Sequence, residues 1–436
     1  MANLKTCALF FKLMLETTIG FEPRSYGPNA TSPFGDSEWV PMLQHIANYP
    51  IEVFDRVIDL LSRHPERNST NILRADILDD ITYLTKIQIN GWSIKNLTVR
   101  RFIPRNPIVD RSLDQTCTVF TKAGNAERLV ILEPHGDAIP FYHPNVKGIA
   151  YLYDGETVSL HILPVEEIPA KTERTCYQLL RVLHKFCVST EAGYIKKFHH
   201  DLVVPREVYQ DKYQGLKIKY GKEICSRWVE KTDPTKHVFE DLGIAAFLIT
   251  LWGDTKATWV DLGCGNGLLV HILQREGYEG YGVDFRRRKS WDVYPGDHRQ
   301  KLILPLEDSF PPGTFFIGNH ADQLAPWVPL IAALCPDGQF ISIPCCAYSL
   351  DGSKYSGPWT GQSKYAGFTN WICSLAERAG WEIEKEYLRI PSTRNIAIIG
   401  RQRRQLVSRE KILSIISQEG GMTGFSDSVV SKKGHQ

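Results

Sequence analysis

The stretch ATWVDLGCGNGLLV, residues 257–270, decides the fold. Trp259, Val260 and Leu262 form a short apolar run of the kind that makes a buried strand. Gly263, Gly265 and Gly267 then punctuate a tight turn, and LLVHILQREG (268–277) resumes with helical spacing. Glycines there permit positive φ and let a ligand touch backbone directly. The start of the following helix offers N–H groups that no earlier carbonyl accepts.

Outward from this turn, strand and helix patterns alternate. YGVDF (281–285), LILPLE (302–307), TFFIGN (314–319) and QFISIPCC (339–346) read as strands. WVPLIAALC (327–335) and SKYAGFTNWICSLAERAG (363–380) read as helices, and WEIEKEYLRI with RNIAIIG closes as a hairpin. This order predicts an α/β, Rossmann-like domain over 225–402. Its sheet would have seven mainly parallel strands and a C-terminal antiparallel hairpin.

The N-terminal half differs. Residues 1–95 predict a helical region, chiefly from Trp39 to Ile89, where Val53, Phe54, Val57, Ile58, Leu60 and Leu61 share a face. LTVRRFI, QTCTVFT, ERLVILEP, IAYLYD and VSLHILP, within 96–170, predict an antiparallel β-rich domain, so an α+β region precedes the α/β domain. A helical, basic linker is expected over 171–224, and a basic, largely disordered tail over 403–436, with one helix offered by EKILSIISQ (410–418).

The whole chain has 436 residues and a formal net charge of +2, so no polycationic field announces nucleic acid. Its ten cysteines include no C-x-x-C pair, which argues against structural zinc and for reduced thiols in an intracellular setting. No metal is expected. The first eighteen residues predict a helix rather than a signal peptide, because Lys12 interrupts the apolar stretch. No apolar run is long enough to span a membrane.

The spacing of the turn selects its ligand. Dinucleotides favour G-x-G-x-x-G with pyrophosphate at the helix start. Here the spacing is G-x-G-x-G, and Asp261 stands just before it. A carboxylate there repels pyrophosphate and suits the ammonium and sulfonium charges of S-adenosylmethionine. Asp284 ends the next strand, seventeen positions after Gly267, where it can accept from ribose hydroxyls. Asp261, Gly263, Cys264, Gly265, Asn266, Gly267, Asp284 and Asn319 are the expected cofactor contacts. A structural strand–helix turn and a nicotinamide or flavin site are the competing readings.

Asn319, His320, Ala321, Asp322 and Gln323 end the strand TFFIGN. Ligands of parallel sheets sit beyond the carboxyl ends of the strands. Asn319, His320 and Asp322 are therefore candidate catalytic residues, with His320 or Asp322 able to take a proton from an acceptor hydroxyl. A packed core histidine is the plainer reading of His320. Cys345 and Cys346 read as buried structural thiols, since methyl transfer from a sulfonium needs no thiol nucleophile. Asp233 before Pro234 is a helix cap by type, and Lys236, His237, Glu240 and Asp241 would wall the pocket.

Beyond these motifs, long segments resemble the tRNA(Ser) uridine 44 2′-O-methyltransferases. They include RRFIPRNP (100–107), HPNVKGIAYLY (143–153), HDLVVPREVYQDKYQGLKIKY (200–220) and TDPTKHVFED (232–241). GVDFRRRKSWDVY (282–294), IGNHADQLAPWVPLIAA (317–333), PCCAYSLDG (344–352) and LRIPSTRNIAIIG (388–400) extend the likeness. The resemblance implies S-adenosylmethionine as donor, tRNA, in particular tRNA(Ser), as acceptor, and cytoplasmic work. It places the cofactor on Asp261, Gly263, Gly265, Gly267 and Asp284, and the acceptor wall on Asn319, His320 and Asp322. Ala321, Gln323 and Ala325 stand where the family pattern has Ser, Glu and Thr. No cysteine follows Cys373, so tRNA binding is expected without the zinc finger of longer relatives. No Lys-Asp-Lys-Glu tetrad is evident, which leaves the base unassigned.

Local basic clusters are the candidate tRNA surface. They are Arg100, Arg101 and Arg105; Lys196, Lys197, His199 and His200; Lys212, Lys217, Lys219 and Lys222; Arg286, Arg287, Arg288 and Lys289; and Arg401, Arg403 and Arg404. Lys217, Lys219, Lys236, Arg286, Arg287, Arg288 and Arg394 are the specific candidates. Tyr209, Tyr213 and Tyr220 are candidates to stack on unpaired bases. Two other functions remain open: methylation of another RNA position, a base or a protein, and a non-catalytic RNA-binding partner that kept the fold.

Overall fold

The computed structural model describes residues 20–27, 30–35, 38–82, 88–89, 91–122, 124, 126–136, 138–195, 200–255, 257–357 and 363–431. The helix expected over the first eighteen residues and the cluster Lys196, Lys197 and His199 lie outside the described residues. The chain divides into two compact units, 1–195 and 196–436.

Among the described residues, unit one is a nine-stranded antiparallel sheet with two α-helices. Its elements are β1 (Arg24–Ser25), β2 (Val40–Ile46), α1 (Ile51–Arg63), β3 (Ile72–Ile81), β4 (Gln88–Ile89) and β5 (Trp92–Pro104). They continue with β6 (Leu113–Lys122), β7 (Arg128–Pro134), β8 (Val146–Tyr153), β9 (Thr157–Pro164) and α2 (Ala170–Glu191). The sheet order is β1-β2-β9-β8-β7-β6-β5-β3, with β4 pairing β5. Phe54, Val57 and Ile58 of α1 and Leu180, Leu183 and Cys187 of α2 share a core with Val130, Ile149 and Leu160 of the sheet.

Among the described residues of the stretch 39–89 that sequence periodicity reads as helix, α1 and a single 3-10 turn at Pro65–Arg67 are helical. β2 and β3 flank them and belong to the same sheet. The boundary expected at 95/96 falls inside β5. The helix expected in the linker is α2, which packs into the unit-one core. Arg100 of the first basic cluster is not a surface group. Its guanidinium is buried, with Nε 3.1 Å from Gln115 Oε1 and further bonds to the Ser62 and Leu61 carbonyls.

Unit two is the α/β domain. Helices α3 (Arg206–Leu216) and α4 (Lys222–Ser226), joined by a π-turn, precede α5 (Pro234–Trp252). The core then runs β10 (Trp259–Leu262), α6 (Leu268–Arg275), β11 (Gly280–Asp284), α7 (Ser290–Val293), β12 (His298–Gln300), β13 (Phe315–Asn319), α8 (Val328–Leu334) and β14 (Gln339–Ile343). It closes with α9 (Lys364–Arg378), β15 (Trp381–Tyr387), β16 (Ile396–Arg403), α10 (Arg409–Gln418) and α11 (Phe425–Ser431).

The sheet order is β12-β11-β10-β13-β14-β16-β15, parallel from β12 to β14 and antiparallel at the hairpin. LILPLE is not its third parallel strand. That place is taken by β12, and 302–307 is irregular. The chain leaves β10 toward β11 on one side and reaches β13 on the other, so the order reverses at β10. A crevice beyond Leu262 and Asn319 follows from that reversal.

The tail is not disordered over 409–431. Ser408 caps α10 by accepting from Lys411 N. Ile412, Ile415 and Ile416 of α10 and Phe425 of α11 are buried with Trp327, Leu330 and Phe340. Apolar spacing at 412, 415 and 416 puts these side chains on one helix face. Among the described residues no helix is long and apolar enough to cross a membrane.

Ile412 is fully buried, so Ile412→Ala should cost about 2–5 kcal/mol in urea unfolding. A loss below ~0.5 kcal/mol would show that α10 does not pack on the domain.

Candidate active site

The Gly-rich turn is built by backbone first. Gly263 N and Cys264 N both donate to Val283 O, at 2.8 and 3.1 Å, which ties the turn to β11. Gly267 has φ +71°, and a Cβ there would lie 2.4 Å from His298 Nε2. Only glycine fits, for both conformation and space. Gly265, φ +52°, differs: a Cβ there would meet open space beside the loop. The turn is braced from behind by Trp291, whose Nε1 donates to Gly265 O at 2.9 Å and whose ring stacks on His298. Trp291 comes from the FRRRKSWD run and went unread as a site support. An isolated Trp carries no spacing signal.

The acids surround this loop. Asp284 Oδ2 accepts from Gly265 N at 3.0 Å, and Oδ1 from Arg286 N at 2.8 Å. Each oxygen keeps a further acceptor position. Burial nevertheless pushes this carboxyl above its usual range. Asp261 is 1% exposed at the end of β10, and its Oδ1 has no hydrogen-bond partner. Burial, then the nearby Asp241 and Asp284 charges, hold it far above the usual carboxylate range. Asp241, from α5, is pushed up to about 7 by burial and by Glu240. Its Oδ1 accepts from Asn319 Nδ2 at 3.2 Å. Asn266 Oδ1 accepts from Leu268 N at 2.8 Å across Gly267, which tightens the turn into α6.

The second motif faces the first. A Cβ on Gly263 would lie 3.4 Å from Ala321 Cα, so the 319–322 turn packs against the Gly-rich turn. His320 (φ +52°) and Asp322 (φ +47°) both occupy the left-handed region. Such residues cost about 1–3 kcal/mol each and persist where the surroundings fix them, often at functional sites. His320 Nε2 lies 3.0 Å from Glu240 Oε1, while its Nδ1 is buried without a partner. His320 is thus partly solvent-exposed and paired, not a satisfied core histidine. Asn319 Oδ1 is buried and unpartnered as well.

Three buried acceptor atoms therefore lack donors here: Asp261 Oδ1, Asn319 Oδ1 and His320 Nδ1. Unsatisfied buried acceptors are costly and rare. A ligand that brings an ammonium and a hydroxyl would complete them, and a pyrophosphate would not. The donor set thus fits the sulfonium cofactor expected for the G-x-G-x-G turn.

Cys345 and Cys346 are half-buried rather than core thiols. Cys345 Sγ lies 3.8 Å from Asp322 Oδ1 and 4.0 Å from His320 O. Asp322 Oδ and the two thiols fall within 4.8 Å of one another. Their mutual hydrogen bonds account for this closeness.

The basic candidates divide. Lys236 is exposed in the first turn of α5, which Asp233 caps by accepting from Thr235 N at 2.9 Å. Arg286 and Arg288 are half-buried behind Asp284, and Arg287 pairs with Asp292. Lys219 pairs with Glu276 at 2.7 Å, and Lys217 lies over the Phe239 ring. Arg394 is exposed over Tyr365. Tyr209 and Tyr220 are buried in the domain core, so they are not base-stacking platforms. Arg401 pairs with Glu384, and Arg403 donates to the Ala332 and Ala379 carbonyls, which makes both structural.

Known proteins align with both units. Residues 21–197 match the family described as TRM44-like, N-terminal bet v1-like domain. Residues 203–307 match the family described as Predicted AdoMet-dependent methyltransferase. A tRNA (uracil-O(2)-)-methyltransferase of Schizosaccharomyces pombe is 39% identical over 89% of this chain and 91% of its own. Those of Neurospora crassa and Yarrowia lipolytica are 37% and 32% identical, over 92% and 94% of this chain and 94% and 96% of theirs. With both units matched and relatives covering almost the whole length, the chain belongs to the tRNA (uracil-O(2)-)-methyltransferase family.

Proposed function

We propose that the chain transfers a methyl group from S-adenosylmethionine to the ribose 2′-oxygen of a uridine in tRNA, at position 44 of tRNA(Ser), in the cytoplasm. The observation that carries this reading is the set of unpartnered acceptors around the Gly-rich turn. The bound donor supplies an electrophilic methyl group on a sulfonium. Asp284 accepts from its ribose hydroxyls, Asp261 receives its ammonium, and the Gly265 backbone leaves room beside the loop. Negative charge from Asp261, Asp241 and Asp284 favours the cationic cofactor in a site of low dielectric.

His320 takes the acceptor's proton. With Nε2–H donating to Glu240, Nδ1 carries a lone pair and no partner. Glu240 is a buried carboxylate whose pKa is lowered: the His320 hydrogen bond and charge outweigh its burial penalty. It fixes the ring's orientation and stabilises the imidazolium that forms. Asn319 and Asp322 shape the turn that presents this imidazole. Lys236, Arg286, Arg288 and Arg394 are the cations best placed for RNA phosphate, with Lys217, Lys219 and Arg287 contributing at the periphery.

Nucleoside analysis of tRNA from cells lacking the protein should show loss of 2′-O-methyluridine. Loss of a methylated base instead would favour a different acceptor. Asp284→Ala should weaken donor binding by about 10–150-fold in calorimetry, the worth of a charge-assisted hydrogen bond. It should leave tRNA binding intact, and equal loss of both would contradict this division of labour. His320→Ala should lower kcat by about 10²–10⁴ with donor affinity unchanged, and an unaltered kcat would exclude His320 as base.

A pH dependence follows from Asp241 and Asp261. Both carboxyls are held protonated to higher pH than usual, Asp241 to about 7. A cationic donor prefers them ionised, so its affinity should rise as pH passes upward through about 7. The donor-induced gain in Tm should therefore be larger at ~pH 8 than at ~pH 6, and a flat or falling gain would contradict the assignment.

A further inference from the structure

Beyond Cys345 and Cys346 the end of β14 opens into a cavity of about 510 Å³ that the methyl-donor site does not use. Its size is that of a small-molecule pocket. One side abuts the 319–322 turn that carries the proposed base, because Cys345 lies against the His320 carbonyl and Asp322. Aromatic side chains form its walls. The Tyr365 hydroxyl accepts from Ile396 N at 3.0 Å, which pins that ring. Tyr355 stacks on Trp371 at 4.3 Å between centroids. Lys354, Lys364 and Arg394 are exposed cations in the lining, and among the described residues no carboxylate lines it. The Arg394 guanidinium sits 4.5 Å over the Tyr365 ring.

Pinned aromatic faces with a one-sided cationic rim are what an unstacked nucleotide requires. Bases stack on the rings, and phosphates meet Lys and Arg. A uridine inside a tRNA must leave its neighbours before its ribose can reach a half-buried imidazole, at a cost repaid in such a pocket. We propose that this cavity receives the acceptor nucleotide, extruded from the RNA as a pyrimidine. Its base lies against Tyr365 and Tyr355, and its flanking phosphates lie on Arg394, Lys354 and Lys364. The proposal rests on the methyl-transfer reading and adds the seat of its substrate. The sequence shows little of this: the lining comes from two stretches of the loop after β14, from α9 and from Arg394 in the β15–β16 loop.

Cys346 reports directly on occupancy. It lines the cavity, and the Cys345 thiol donating to it pulls its thiol down to about 7, so it alkylates readily. Full-length protein is treated with iodoacetamide with and without saturating tRNA, and Cys346 is quantified by peptide mapping. Bound tRNA should slow its modification by about tenfold. In parallel, K354A, K364A and R394A are combined in one variant. Its KM for tRNA should rise by about tenfold or more, and its dependence on log salt should flatten by about 1 per lost cation. Its affinity for S-adenosylmethionine should not change. All three side chains are exposed, and an unchanged Tm confirms folding.

Unprotected Cys346 together with an unchanged KM would overturn the pocket assignment while wild-type methylation of tRNA stands. Protection by polyglutamate but not by tRNA would overturn it in favour of an acidic protein partner. Wild-type protein that protects Cys346 with tRNA yet methylates none would sink the methyl-transfer reading and leave the nucleotide seat intact.

Discussion

The site depends on carboxylates crowded where water is scarce. Asp261, Asp241 and Asp284 meet at the ends of β10 and β11 and the facing side of α5, and burial raises the proton affinity of all three. Like charges buried together raise one another's proton affinity. The fold tolerates this because backbone amides of the Gly-rich turn and of Arg286 hold Asp284, and Asn319 holds Asp241. What remains uncompensated is a demand for positive charge from outside. A structural strand–helix turn would have no reason to carry it.

That demand explains why the α/β domain has the details it has. Gly267 must be glycine because His298 and Trp291 stand behind the turn and brace it. The 319–322 turn is held in left-handed backbone so that His320 reaches Glu240 while Ala321 packs on Gly263. The two motifs come from different strands, and they meet because the sheet order reverses at β10.

Much of this was legible in the sequence, for physical reasons. Three glycines in five residues after an apolar run leave few alternatives, and Asp261 and Asp284 mark consecutive strand ends. The misreadings have causes too. α1 has a strong apolar period, and its pattern was extended over β2 and β3. β3 carries Asp76, Asp79 and Asp80 with half-exposed neighbours, so it lacks the alternation of a half-buried strand. α10 matches the helix that EKILSIISQ offers, and what spacing does not reveal is its packing on Trp327, Leu330 and Phe340, which orders the tail. Charge alone does not reveal a face. Arg100 lies inside a sheet on Gln115, and Tyr209 and Tyr220 lie in the core despite flanking lysines. The cavity beyond Cys346 is lined by the irregular loop after β14, by α9 and by Arg394, a combination without a periodic pattern.

The account stands on one claim: the crevice beside Gly265 is built for a cation whose sugar is held by Asp284. A crystal structure of the protein soaked with S-adenosylmethionine tests it most directly. The ribose hydroxyls should lie within about 3.2 Å of the Asp284 oxygens, with the ammonium facing Asp261. An empty crevice in such crystals, or a pyrophosphate compound occupying it in preference, would contradict the account.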